Sequence, residues 1–298
     1  MSFEFIFPYL LTLAACAVSL SIFFVQRRKS APGRAVPAKQ MAVLVPVAAV
    51  VCARLAYFAF RWDEYVYGYG LLSVLDLSAG SCLMYGGILG ALLCAALLAK
   101  KSGVSAAQAM DEITVPGLAA VAVCRFAEYF TPEGIGPLFE NPALCFFPLA
   151  VKNRYDEWNM AVFMFEAVAA LLIIALLLKE KKKPAGSRVM TALLLYSCCQ
   201  IPLENLRSDS CLRIGFVRVS QIIAVLLILA VIYVRTKGCK EIFARRAGVV
   251  LACTAVIGVI EWAEDKTNIP NILLYIAMIA LCAVMAYMGR EALGRKKA

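Results

Sequence analysis

The chain has 298 residues, 62% hydrophobic and only 17% charged, with a mean hydropathy of +0.79. Soluble domains carry about a quarter charged residues, so a soluble globular protein is excluded and the repeated apolar runs point to a helical membrane protein. The formal net charge of +10 does not call for a nucleic-acid partner, because the basic residues fall where membrane topology and anionic headgroups place them.

An apolar run of about 17–20 residues crosses a hydrocarbon core of about 30 Å. Nine such spans are predicted, at 5–25, 41–60, 83–99, 113–130, 160–178, 189–206, 217–234, 247–262 and 270–288. The predicted fold class is therefore all-α: a polytopic integral membrane helical bundle of about nine transmembrane helices. The first run lacks a short apolar stretch followed by a small-residue cleavage site and reads as a retained span. Alternate connections are basic: Arg27, Arg28, Lys29, Arg34 and Lys39 in the first, Lys100 and Lys101 in the second, Lys179 to Arg188 in the third, Arg235 to Arg246 in the fourth. With the tail, these hold 21 of the 30 basic residues, against 7 on the other side, counting Arg218 at the rim of the seventh span, and Arg54 and Arg125 deeper within spans. The positive-inside rule then predicts an outside N-terminus and a cytoplasmic C-terminus.

Charges inside a span are costly and by default suggest a functional site. Arg54 lies in the second span, Arg125 and Glu128 near the outer end of the fourth, and Glu166 in the outer part of the fifth. Gln200 and Glu204 occupy the outer third of the sixth span, which Arg207 caps, and Tyr85, Gly86 and Gly87 open the third. Residues from five helices thus share one predicted depth. The plain reading of any one of them is interhelical packing glue. As a set they suggest a polar cavity open to the outer leaflet, where arginine forks match the phosphate oxygens of an anionic headgroup.

The chain has no histidine, which excludes histidine-based catalysis, and its twelve cysteines include no CxxC pair, so nothing argues for a metal site. Most cysteines read as small buried hydrophobes; Cys145 and Cys211, on the predicted outer side, are a possible pair. Trp62, Tyr65, Tyr67 and Tyr69 read as an interfacial aromatic belt. Residues 131–159 read as the longest outer connector.

The polar segments, taken in order, resemble the bacterial prolipoprotein diacylglyceryl transferase family over about residues 41–234. CARLAYFAF (52–60) resembles the family's Gly-Ala-Arg-Leu segment, and SAGSCLMYGGILG (78–90) is similar to its Gly-Gly-x-Ser-Phe-His-Gly-Gly-x-x-Gly segment. CRFAEYFTPEGIG (124–136) resembles the signature Gly-Arg-x-Gly/Ala-Asn-Phe-x-Asn-x-Glu-x-x-Gly, with Arg125, Ala127, Glu133 and Gly136 in place. Glu166 sits where the family has the glutamate of His-Pro-x-Gln-x-Tyr-Glu. YSCCQIPLENLRSD (196–209) resembles a further segment through Tyr196, Glu204 and Arg207, with Asp209 one place early, and Gln221 matches a Met-Gly-Gln glutamine.

The resemblance implies an enzyme without cofactor that moves the diacylglyceryl group of phosphatidylglycerol to a lipobox cysteine thiol, leaving a thioether and glycerol phosphate. Its partners would be phosphatidylglycerol or another anionic phospholipid, the prolipoprotein signal peptide and the membrane. It implies a catalytic set of Tyr85, Arg125, Glu128 and Gln200, and a lipid-binding set of Arg54, Gly86, Gly87, Glu133, Gly136, Glu166, Glu204, Arg207 and Gln221. It also implies a transferase-like core over 1–234 and a two-helix extension over 235–298. Three positions depart from the family: Tyr85 replaces a histidine, Glu128 an asparagine and Gln200 an arginine. The layer then counts Arg54 and Arg125 against Glu128, Glu166 and Glu204, net negative where the family would be net positive. Three readings stay open on the sequence: a divergent transferase, a non-catalytic relative that binds lipid or lipoprotein, and a small-molecule transporter, the last without any paired broken helices to support it.

Overall fold

The computed structural model describes residues 3–29, 35–70, 74, 82–130, 134–139, 141–153, 155–180, 184–208, 212–214, 217–236, 239–267 and 270–291. Among these residues nine long helices follow one another: α1 (Phe3–Lys29), α2 (Ala38–Phe60), α3 (Met84–Lys101), α4 (Ala106–Ala127), α5 (Val162–Lys179), α6 (Ser187–Leu206), α7 (Val219–Arg235), α8 (Lys240–Lys266) and α9 (Asn271–Glu291). The protein is an all-helical, multi-pass membrane protein. Seven of the helices, α1–α5, α8 and α9, are long and apolar enough to span a membrane. The other two depart from that pattern for different reasons. α7 is short, at 17 residues. α6 has 20 residues but is punctuated by Thr191, Ser197, Gln200 and Glu204, and no side chain from 189 to 206 is exposed. A helix that meets protein rather than lipid on every side carries polar groups wherever they find partners.

The chain divides into two compact units, one of Met1–Ala127 and Ala170–Val189, the other of Glu128–Ala169 and Met190–Ala298. In the first unit α1 packs on α4, α2 on α3, and α3 on α4. Phe23, Met41, Ala95, Leu98, Ala99, Ala109 and Ile113 form its apolar cluster. Asp111 of α4 accepts hydrogen bonds from the backbone N–H groups of Gly186 (2.7 Å) and Val189 (2.8 Å) at the start of α6. Two of the donors that a helix N-terminus leaves without intrahelical partners are satisfied in this way by a carboxylate, which also complements the helix dipole.

In the second unit α7, α8 and α9 pack on one another. Two short antiparallel hairpins join it: β1 (Ala150–Lys152) with β2 (Trp158–Met160), and β3 (Arg213–Ile214) with β4 (Val217–Arg218). The predicted plain connector over 131–159 is thus partly a hairpin, extended by a bridge between Leu138 and Asn159. Its strands are three residues long, too short for the alternation of apolar and polar residues to declare itself. The aromatic belt also needs correction at Tyr65, which is buried against Phe58 while Trp62 and Tyr67 are exposed. Cys145 is a free thiol, and Cys211 lies outside the described residues.

Candidate functional site

The signature segment is held by backbone bonds. α4 ends at Ala127, a 3-10 turn carries Glu128–Phe130, and Glu133 lies outside the described residues. The chain returns at Gly134 with φ of +69°, a conformation that L side chains rarely adopt. A side chain there would also strike the Glu128 carboxylate and come within 2.8 Å of the Phe163 Cβ. The Gly134 carbonyl accepts from Phe163 N (2.9 Å), Gly136 N donates to the Met160 carbonyl (2.8 Å), and Ser208 N donates to the Ile135 carbonyl (2.8 Å). Asn159 Nδ2 donates to the Gly136 carbonyl at 2.9 Å. Three glycine-segment residues therefore pin the start of α5 to the end of α6. Gly136 is packed so closely that an added Cβ would lie 2.8 Å from both the Leu206 carbonyl and Val162 Cγ2.

This pinning brings the carboxylates of the two helices to one amide. Gln200 Nε2 donates to Glu166 Oε1, and it lies 3.2 Å from Glu204 Oε1. An amide NH2 has two donors, so it can bridge two carboxylates, but it brings no charge to offset them. The offset comes from arginines: Arg207 Nη1 lies 3.5 Å from Glu166 Oε2, and Arg218 Nη1 lies 3.9 Å from Glu204 Oε2. Arg218 also donates to the Arg207 carbonyl, closing the end of α6. Glu166, Gln200, Glu204, Arg218 and Gln221 are all buried. The structure thus brings together five residues of the predicted set, Glu166, Gln200, Glu204, Arg207 and Gln221.

The network runs on through residues that the sequence reading passed over. Gln221 Oε1 accepts from Arg218 N (3.3 Å), while its Nε2 faces the Ile201 carbonyl (3.4 Å) and donates to Glu261 Oε1 on α8. Asn205 Nδ2 donates to Glu264 Oε2 at 2.8 Å, and the Tyr275 hydroxyl of α9 donates to Glu264 Oε1. A signal for Glu261 was present, since it lies inside the predicted span 247–262, where any carboxylate calls for a partner. Arg218 at the start of the predicted span 217–234 offered the same kind of signal.

The remaining predicted residues belong to the first unit. Arg54 on α2 is buried; its Nε donates to the Val74 carbonyl at 2.8 Å, and its guanidinium lies 5.6 Å from the centre of the Tyr65 ring, within cation–π range. Arg125 in the last turn of α4 and Tyr85 in the first turn of α3 are also buried. Gly86 and Gly87 face α2 directly: an added Cβ at Gly86 would lie 2.8 Å from the Cys52 carbonyl, and one at Gly87 would lie 3.2 Å from the Ala49 carbonyl. Gly90 repeats the pattern one turn on, against the Ala48 carbonyl at 2.8 Å. These glycines let the two helix backbones approach, as small residues do in membrane helix pairs. Among the described residues, no group of three or more cysteine, aspartate or glutamate side chains is placed to hold a metal ion.

The family model described as prolipoprotein diacylglyceryl transferase matches residues 8–236. The chain is similar to proteins named phosphatidylglycerol–prolipoprotein diacylglyceryl transferase. One from Finegoldia magna is 30% identical over 196 residues, covering 65% of this chain and 75% of that protein. One from Acaryochloris marina is 28% identical over 193 residues, covering 62% and 69%. One from Clostridium novyi is 28% identical over 198 residues, covering 64% and 76%.

Proposed function

Because this chain belongs to the prolipoprotein diacylglyceryl transferase family, we propose that it transfers the diacylglyceryl group of phosphatidylglycerol to the cysteine thiol of a prolipoprotein. The observation that carries this reading is the match over residues 8–236, together with two buried arginines, Arg54 and Arg125, in the family's segments. The core over 1–234 performs the reaction, with the N-terminus outside and the C-terminus in the cytoplasm.

In this reading Arg54 and Arg125 hold the phosphate of the lipid. The thiol sulfur attacks the glyceryl carbon bound to the phosphate oxygen; the C–S bond forms, the C–O bond breaks, and glycerol phosphate leaves with the bonding electron pair. Guanidinium groups stabilise the charge that builds on the departing oxygen. The thiol proton must go to a base, and the chain has no histidine. Tyr85 is poorly suited, because a phenol titrates near 10. A carboxylate takes the role, and Glu128, carried on the signature turn and packed against Gly134, is the one assigned here. Glu133 stays with the lipid-binding set on the resemblance alone. Glu166, Gln200, Glu204, Arg207 and Gln221 stay with the resemblance's set as a group rich in acceptors, of the chemistry that suits glycerol hydroxyls.

The test is complementation. The chain is expressed in bacteria depleted of their own diacylglyceryl transferase, and a reporter lipoprotein is examined by mass spectrometry. A diacylglyceryl-modified reporter is expected. An unmodified reporter beside well-inserted protein overturns the reading in favour of a relative that binds lipid or lipoprotein without transfer.

A further inference from the structure

The family model ends at residue 236, so α8 and α9 lie outside it, yet they are tied to the matched part of the second unit at both ends. At one end Glu261 and Glu264 of α8 accept hydrogen bonds from Gln221 and Asn205, both inside the matched segment. At the other, Arg235 of the matched segment donates to the Gly289 carbonyl (2.8 Å) in the last turn of α9 and to Thr191 Oγ1 of α6 (3.0 Å), while Arg246 of α8 itself donates to the Met288 carbonyl (2.7 Å). Those carbonyls have no partner within the helix, and cations there also complement its dipole. Gly289 packs on Leu194 of α6, with no room for a side chain between them. A helix pair that only filled membrane would gain nothing from carboxylates turned inward, since ionised groups are expensive in a low-dielectric setting without partners.

The Glu261 bond has a directional effect. A carboxylate only accepts, so it selects the orientation of Gln221 that turns its NH2 toward α8 and its carbonyl oxygen toward Arg218 N. That oxygen engages the backbone N–H at the start of α7 and so holds the residue whose side chain reaches the Arg207 carbonyl and the Glu204 carboxylate. The reversed amide would set two oxygens against each other. We propose that Glu261 is a positioning residue for the transferase site: through Gln221 and Arg218 it orients Glu204 and the Arg207 end of α6, so the two C-terminal helices are part of the site's supporting structure. The inference rests on the transferase reading of that site.

The experiment uses the full-length chain in detergent, phosphatidylglycerol and a synthetic lipobox peptide, with wild type, Glu261→Ala, Glu261→Gln, Gln221→Ala and the Glu261→Ala/Gln221→Ala double variant. Glu261→Ala is expected to lower kcat about tenfold, with the melting temperature of the folded fraction within a few degrees of wild type. Glu261→Gln keeps an accepting oxygen and is expected to retain activity within about threefold of wild type. The double variant should be no slower than Gln221→Ala alone, because the two residues act as one unit. Wild-type kcat in Glu261→Ala overturns the proposal, as does equal loss in the alanine and glutamine variants. If wild type itself transfers nothing, the transferase reading falls, and phosphatidylglycerol retention by native mass spectrometry decides the positioning role. Lower retention in Glu261→Ala but not in Glu261→Gln supports the role, and equal retention in both overturns it.

Discussion

The two compact units differ in the charge they bury. Among the described residues, the buried charged side chains of the first unit are both arginines, Arg54 and Arg125, while the second buries Glu166 and Glu204 with Arg218 and Arg246. They also hold their charges by different means. Arg54 donates to a backbone carbonyl and lies over an aromatic face. Glu166 and Glu204 are bridged by the neutral Gln200 and offset by arginines at 3.5 and 3.9 Å. The contrast teaches that a neutral side chain, Gln200, can hold two buried carboxylates together. An amide lets two carboxylates share one donor group, and it makes the unit depend on Arg207 and Arg218 for compensation.

The largest expected effect is in the second unit. Glu166→Ala leaves the Gln200 amide and the Arg207 guanidinium without their shared acceptor, and breaking a buried charged pair in this way costs about 3–5 kcal/mol. Thermal unfolding in detergent measures it, and a change below about 1 kcal/mol would break the comparison by showing that the network carries little. In the first unit, Arg125→Ala should leave stability closer to wild type but lower diacylglyceryl transfer about 100-fold, the scale of losing one preorganised charge donor. Retention of phosphatidylglycerol by that variant in native mass spectrometry would contradict the assigned lipid site.

A smaller effect is expected where the first unit depends on close approach. Gly90→Ala places a methyl against Cys52 and the Ala48 carbonyl, and forcing α2 from α3 should lower stability by about 1–3 kcal/mol. Unchanged unfolding would mean that the α2–α3 contact relaxes without loss. The smallest effect belongs to the exposed hairpin of the second unit. Lys152→Ala removes an ion pair with Asp156 at 2.7 Å, and such exposed pairs contribute about 0–1 kcal/mol. A larger loss would show that the hairpin is more tightly coupled to its unit than its exposure implies.

Much of the fold was legible because membrane helices announce themselves. Each of the nine predicted spans overlaps one observed helix, and seven of those helices are long and apolar enough to cross a membrane. Arg54, Arg125, Glu128, Glu166, Gln200 and Glu204 stood out for the same reason, as polar residues in apolar runs. The hairpins at 150–160 and 213–218 left no such trace, being too short to show a period. Tyr65 read as one more interfacial aromatic until its ring was found beneath Arg54.

The sequence by itself determined the helical membrane class, the approximate positions of the helices and which polar residues needed explaining, because hydrophobic length and the penalty on intramembrane charge act locally along the chain. Only the tertiary structure decided what those residues do for one another. It paired Gln200 with two glutamates, packed Gly86 and Gly90 against α2, and brought Glu261 and Glu264 from beyond the matched family segment to Gln221 and Asn205. The reason is distance along the chain: Glu261 lies 40 residues from Gln221 and Glu264 lies 59 from Asn205, and no periodicity or composition records which distant donor a buried carboxylate will meet.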